Sequence, residues 1–368
     1  MSDSAPSARR EGGQRMLRAR SQVAVVTAVA MALVLPGAAP ASAATVSDPI
    51  IDGLAGPLQL AVGSDGTIYV SQSFAGKLTA VGWKGATEVV STPGAEIAGV
   101  AAEGRGTVTF TTSGETEDGL FAQVKRVLAN GKVRPVADVG SYEATVNPDQ
   151  VNSYGFHGLT PECAAQVPAE IGADPYLGIV ESHPYSVAIL PDGSRVVADA
   201  AGNDVVRVAP DGTISTVAVL PPAPSVITAE LAAGVGLPEC TVGKTYNFEP
   251  VPTDVELGRD GLLYVSSLPG GPEDPSFGAR GAVYSVNLAT GTVTRIASGF
   301  LGATNLAVGP DGTIYVAELF GGRISTVSGA GAKPLADVPF PAAVEWANGK
   351  LYATTDVFGN GSVVTITP

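Results

Sequence analysis

The chain has 368 residues, and its 21 lysines and arginines face 35 aspartates and glutamates, a net charge of −14. That balance argues against nucleic acid and anionic membrane surfaces as partners, because both need a basic face. With two cysteines and two histidines at spacings that match no zinc module, a Cys/His metal centre is also disfavoured.

Residues 1–43 read as an export signal. Arg9, Arg10, Arg15, Arg18 and Arg20 precede an apolar run from Val23 to Leu35, and Ala41-Ser42-Ala43 is a small-x-small site for cleavage before Ala44. The run is too short for a membrane-spanning helix, which needs roughly 20 apolar residues. Arg9-Arg10 lacks a convincing twin-arginine context, so ordinary secretion is expected. Cleavage leaves 16 basic and 33 acidic residues, a mature charge of −17. No second apolar stretch is long enough to cross a bilayer.

From Ala44 onward one hairpin signature returns: Gln59 to Val70 around Asp65-Gly66, Ser186 to Val197 around Asp192-Gly193, Asp254 to Val265 around Asp260-Gly261, and Asn305 to Val316 around Asp311-Gly312. Weaker copies run from Val100 to Phe110 and from Val344 to Tyr352, the latter around Asn348-Gly349. Asp-Gly and Asn-Gly between apolar runs predict hairpins with type I′ turns. A second hairpin follows, turning at Asn130-Gly131, Asp211-Gly212 and Thr290-Gly291 in three of the units. Two hairpins make one four-stranded blade, and six units are expected: residues 56–94, 95–140, 183–220, 251–299, 302–340 and 341–368. The prediction is an all-β, six-bladed β-propeller. The last unit is a strand short, and residues 45–52 are expected to supply it, closing the ring and hiding its edges. Residues 44–368 then form a single domain.

Two insertions, at about residues 141–182 and 221–250, interrupt the repeat and are expected to cap one face. Each holds one cysteine, Cys163 and Cys240. In an exported chain the pair reads as a disulfide tying the insertions together, with free thiols or a metal pair as alternatives. Aromatic residues in or beside the insertions (Tyr142, Tyr154, Phe156, Tyr176, Tyr185, Tyr246, Phe248, Phe277) either line a groove for an apolar or carbohydrate ligand or form the cap's own small core.

The repeats resemble NHL-type, TolB-like propellers. The stretch from Pro184-Tyr-Ser-Val-Ala through Asp199-Ala-Ala-Gly-Asn203-Asp-Val-Val-Arg207 is similar to the ScyD/ScyE family of secreted proteins, a resemblance that covers nearly all of the mature chain. It implies an exported propeller and assigns no activity.

Six residues before each turn lies a strand start expected to face the channel mouth: Gln59, Gly99, Ser186, Asp254, Asn305 and Ala342. Oxygen-bearing side chains at four of these suggest calcium, and the resemblance to six-bladed lactonases adds weight. Against that stands a single carboxylate, Asp254, so a polar, self-bonded channel is the simpler expectation. A second ring, seven residues after each turn Asp, holds Gln72, Thr112, Asp199, Ser267, Glu318 and Thr355; Asp199 with Asn203, and Glu318 with Arg323, are expected to order the following loop. Of the histidines, His157 lies in the first insertion, whereas His183, with Glu181, lies near the mouth as a candidate general base.

The leading expectation is a secreted, non-catalytic module that binds a small-molecule or protein partner at the capped face. The alternative is a calcium-dependent lactonase-like hydrolase with Asp254 and Asn305 as ligands and His183 or Glu181 as base. A third possibility is an assembly scaffold.

Overall fold

The computed structural model describes residues 44–117, 119–272 and 278–368. The expected signal at 1–43 and Phe277 lie outside these residues. Six antiparallel sheets follow one another, each a meander whose first strand lies innermost: Pro57–Val62, Ala95–Gly104, Pro184–Ile189, Pro252–Leu257, Ala303–Val308 and Val344–Ala347. These first strands touch in chain order, and the sixth returns to the first. Thr45–Val46 and Ile51–Leu54 pair with Gly361–Thr367, the last strand of the chain.

The apolar period-2 pattern buries residues on both faces of each blade, because a neighbouring blade covers each face. Six apolar clusters result, one between each adjacent pair of blades. The cluster joining the sixth blade to the first sets Ala343, Tyr352 and Val363 against Leu60 and Val70. Fully burying a valine or leucine in such a seam contributes about 1.5–3 kcal/mol.

The four strong Asp-Gly hairpins do not use the expected type I′ turn. Gly66 N donates to Gly63 O (2.9 Å) and Gly63 N to Thr67 O (2.8 Å), and the same pair of bonds recurs at Leu190–Ser194, Gly258–Leu262 and Gly309–Thr313. Only the glycine has positive φ (84° at Gly66), so the aspartate stays right-handed and a glycine bulge follows the turn. Aspartate is favoured because its carboxylate caps the loop: Asp65, Asp192, Asp260 and Asp311 each accept from the backbone N–H two residues on (3.0–3.1 Å). Asn348 (φ 51°) and Gly349 (φ 74°) do form the two-residue turn with both angles positive.

The insertions build a seventh sheet, in the order Tyr176–Leu177, Ser153–Phe156, Thr245–Phe248, Ala223–Val226. Two strands from each insertion therefore share it, joined where Ser153–Phe156 pairs with Thr245–Phe248. The Cys163–Cys240 disulfide joins the same two segments. Phe156, Ile227 and Ala232 are its buried centre, with Tyr246 meeting Phe156 edge-on at 4.8 Å and Phe248 at 4.5 Å. These aromatic residues form a core rather than an open groove. Because both insertions end where an inner strand begins, the cap stands at the strand-start end of the propeller.

Candidate functional site

Five of the six inner strands carry a bulge near their start, where the register with the second strand slips. The bulge turns successive side chains into the channel, and a hydroxyl of the second strand holds it in several blades. Ser71 Oγ accepts from Gln59 N (3.0 Å), Thr111 Oγ1 from Gly99 N (2.7 Å) and Thr354 Oγ1 from Ala343 N (2.9 Å). The last bond corrects the sixth blade: Ala343, not Ala342, occupies the level of Gln59. The slip arises because the Asn348-Gly349 turn is shorter than the Asp-Gly loops.

Gln59, Ser186, Asp254 and Asn305 converge, all nearly inaccessible to solvent. Asn305 Nδ2 donates to Gln59 Oε1 (2.8 Å), and Gln59 Nε2 donates across the channel to Thr253 O (3.2 Å). Asn305 Oδ1 accepts from Val344 N (2.7 Å), Asp254 Oδ2 from Leu306 N (2.9 Å) and Asp254 Oδ1 from the Ser186 hydroxyl. At Gly99 the neighbouring blade comes so close that a Cβ would lie 2.8 Å from Ser186 Cα. The ring is thus a hydrogen-bonded plug. Its amide and carboxylate oxygens already hold donors and it has one carboxylate, so it fits a calcium ion poorly.

Beyond the plug, two residues further along each inner strand, the ring is Ala61, Ala101, Ala188, Glu256, Ala307 and Glu345, opposite residues 69, 109, 196, 264, 315 and 352. Four small side chains leave space, and a cavity of about 380 Å³ fills it. It reaches from Gln59, Ser186, Asp254 and Asn305 to Leu190 and Pro191 beside an Asp-Gly turn, with Glu256 and Glu345 in its wall and no lysine or arginine among its lining residues. The cavity therefore extends toward the turn end, away from the capped face at which the sequence predicts binding.

Desolvation raises all three carboxyls. Asp254 rises to about 6 although the bonds from Ser186 and Leu306 N favour its ionised form. Glu345 rises to about 8, with the charge of Asp254 adding to burial, and Glu256 rises well above the usual range, with Glu345 and Asp254 adding. Between pH 4.5 and 8 the folded chain holds a proton at Glu345 that the unfolded chain releases, so this group lowers stability as pH rises through that window. The stability of Glu345→Gln should therefore gain on wild type between pH 5 and pH 8, by on the order of 2 kcal/mol after allowance for channel water. Thermal unfolding of both proteins across that range measures it.

His183 and Glu181 do not join Asp254. His183 Nε2 bonds Glu96 Oε2 (2.7 Å) and its ring meets Tyr185 edge-on at 5.6 Å. Burial disfavours the imidazolium, but the hydrogen bond and charge of Glu96 outweigh it and raise the histidine. Glu181 is exposed on the insertion. His157 is exposed too, 3.4 Å from Ser153 Oγ.

The second ring serves the cap end. Ala55 N donates to Gln72 Oε1 (2.9 Å), Thr112 Oγ1 to Glu96 O (2.6 Å), His183 N to Asp199 Oδ1 (2.6 Å), and Leu301 N to Glu318 Oε2 (2.7 Å). Ser267 Oγ donates to Pro250 O, and Thr355 Oγ1 to Pro339 O (2.8 Å). Each side chain clasps the segment leading into its own blade. The following loop is held as well at Asp199, by Gly202 N (3.1 Å), and at Glu318, by Arg323 Nε (2.8 Å). Asn203 is not Asp199's partner: its amide donates to Asp149 Oδ2 (2.9 Å) and its oxygen accepts from Val251 N (3.1 Å).

No protein-family model matches the chain, and no curated protein matches its sequence. Solved structures do. An aldose sugar dehydrogenase from Streptomyces coelicolor with bound PQQ superposes with a TM-score of 0.51 at 15% identity, over 89% of this chain and 99% of its own. A glucose dehydrogenase gives 0.51 at 14% identity over 88% and 99%, and a candidate gluconolactonase 0.50 at 16% over 89% and 93%. The chain is a β-propeller. At these identities the likeness carries the fold alone. Among the described residues no helix is long and apolar enough to cross a membrane.

Proposed function

We propose that this chain is an exported propeller of the ScyD/ScyE kind that acts by binding, with the channel cavity as its site and a small organic cation as its ligand. The observation that carries this reading is the wall of the cavity: Asp254, Glu256 and Glu345 face about 380 Å³ of space that no basic side chain lines. A cation entering there would release protons from raised carboxyls and relieve their mutual repulsion. The signal-like pattern in the sequence of residues 1–43 and the Cys163–Cys240 bond support an oxidising, extracellular setting.

One observation favours the hydrolase reading instead. Asp254, at about 6, has a proton affinity suited to acid–base work near neutral pH. A thermal-shift panel of aliphatic amines, neutral sugars, organic acids and lactones separates the two. Binding predicts stabilisation by amines at pH 7.5 that Glu345→Gln removes, and no turnover. Lactone hydrolysis with stoichiometric calcium, abolished by Asp254→Ala, would replace the binding reading.

A further inference from the structure

A second group of acids lies at the cap end, away from the channel. Helix Val139–Val146 is seated on the third blade by Tyr142, whose hydroxyl accepts from Thr216 N (2.9 Å). The helix carries Glu143, the turn that follows it carries Asn147 and Asp149, and strand Asp204–Val208 of the blade begins with Asp204. Glu143, Asp149 and Asp204 are 2%, 0% and 1% exposed. Asp204 lies opposite Asp199 in the sheet, so both side chains leave the same face. The charges that act on Asp204 are those of Asp199, Glu143 and Asp149.

Most of these oxygens have no donor. Asp199 is engaged by Ser182, His183 N and Gly202 N, and Asp149 Oδ2 accepts from Tyr154 and Asn203. Glu143 Oε1, Asn147 Oδ1, Asp149 Oδ1 and both oxygens of Asp204 are buried without a hydrogen-bond partner. A buried carboxylate with neither oxygen satisfied costs several kcal/mol unless a cation or a proton compensates it. Five oxygen donors from three carboxylates and an amide, with no nitrogen or sulfur, are the donor set of a hard divalent cation with flexible coordination.

We infer that Glu143, Asn147, Asp149 and Asp204 bind a calcium ion that fastens the first insertion to the third blade. Among the described residues no group of three or more His, Cys, Asp or Glu is placed to hold a metal ion as it stands. Asp204, both of whose oxygens are unpartnered, and Glu143 Oε1 would therefore turn toward the ion as it is taken up. Such a site is separate from the channel and its plug.

Calorimetric titration of calcium chloride into full-length, EDTA-stripped protein at pH 7.5 tests it, together with thermal unfolding with and without the ion. The expected result is one ion per chain and a Tm several degrees higher with calcium, with magnesium much less effective. Asp204→Asn and Glu143→Gln each remove a buried charge and should fold. Each should weaken calcium binding on the order of tenfold or more, whereas Asp254→Asn in the channel should leave it unchanged. No calcium heat and no Tm change in wild type would overturn the proposal, and would mean that protons neutralise these carboxyls. So would a calcium response in Asp204→Asn equal to that of wild type, or its loss in Asp254→Asn.

Discussion

Replacing Cys163 and Cys240 together by serine is expected to cost about 4 kcal/mol of stability, measured by urea unfolding of the oxidised wild type and the double variant. The bond spans 77 residues, and closing a loop of that length removes about this much free energy of chain entropy from the unfolded state. Within the loop lies the whole third blade, flanked by the end of the first insertion and most of the second, so releasing it frees a large segment at once. Strand pairing of Gly155 with Asn247 and Phe156 with Tyr246 should keep the cap folded in the variant. Loss of the cap's near-UV aromatic signal under conditions that keep the blades folded would show that the disulfide carries the cap alone.

Glu318→Ala should be as severe, at roughly 3–5 kcal/mol, because it strands partners of a fully buried carboxylate. Glu318 is 0% exposed and holds Leu301 N, the Arg323 guanidinium and the Ser325 hydroxyl. Burial alone would raise its pKa, but those partners outweigh it and hold the carboxyl below its ordinary value. A lowered folded value stabilises the protein above the unfolded pKa and is lost as pH falls through the folded one. The gap between wild type and Glu318→Ala should therefore narrow in acid, and denaturant midpoints at pH 7 and pH 3 would show it. Glu318→Gln, which keeps the shape but not the charge, should fall between the two.

The blades were legible because their signal is local: Asp, Gly and flanking β-branched residues write each hairpin within about a dozen positions. The outer partners of Gly361–Thr367 were legible too, since Thr45–Val46 and Ile51–Leu54 sit in the one stretch left over. The turn type was not, because Asp-Gly suits both the two-residue turn and the bulged loop, and only loop length separates them. That ambiguity displaced Ala342 from the channel level by one residue. The cap sheet escaped notice because its central pairing, Gly155 with Asn247 and Phe156 with Tyr246, joins segments far apart in the chain, which no local pattern encodes.

The candidate site was half legible. Gln59, Ser186, Asp254 and Asn305 do meet in the channel, bonded to one another and to nearby backbone as the simpler expectation had it. Glu256 and Glu345 were overlooked, although a signal existed: the repeats read Leu60-Ala61, Val100-Ala101, Val187-Ala188 and Leu306-Ala307, against Val255-Glu256 and Val344-Glu345. Glutamate where four repeats place alanine points into the space those alanines leave. Asp204, beside an asparagine in an ordinary strand, gave no such warning, since only the folded insertion brings Glu143 and Asp149 over it.

Calorimetric titration of 1,4-diaminobutane into wild type, Glu345→Gln and Glu256→Gln at pH 7.5 probes the channel reading most directly. Wild type should bind about one molecule per chain with release of protons to the buffer, and either variant should lose most of the affinity. Equal binding to all three proteins, or no heat with the diamine and saturable binding of succinate, would contradict it.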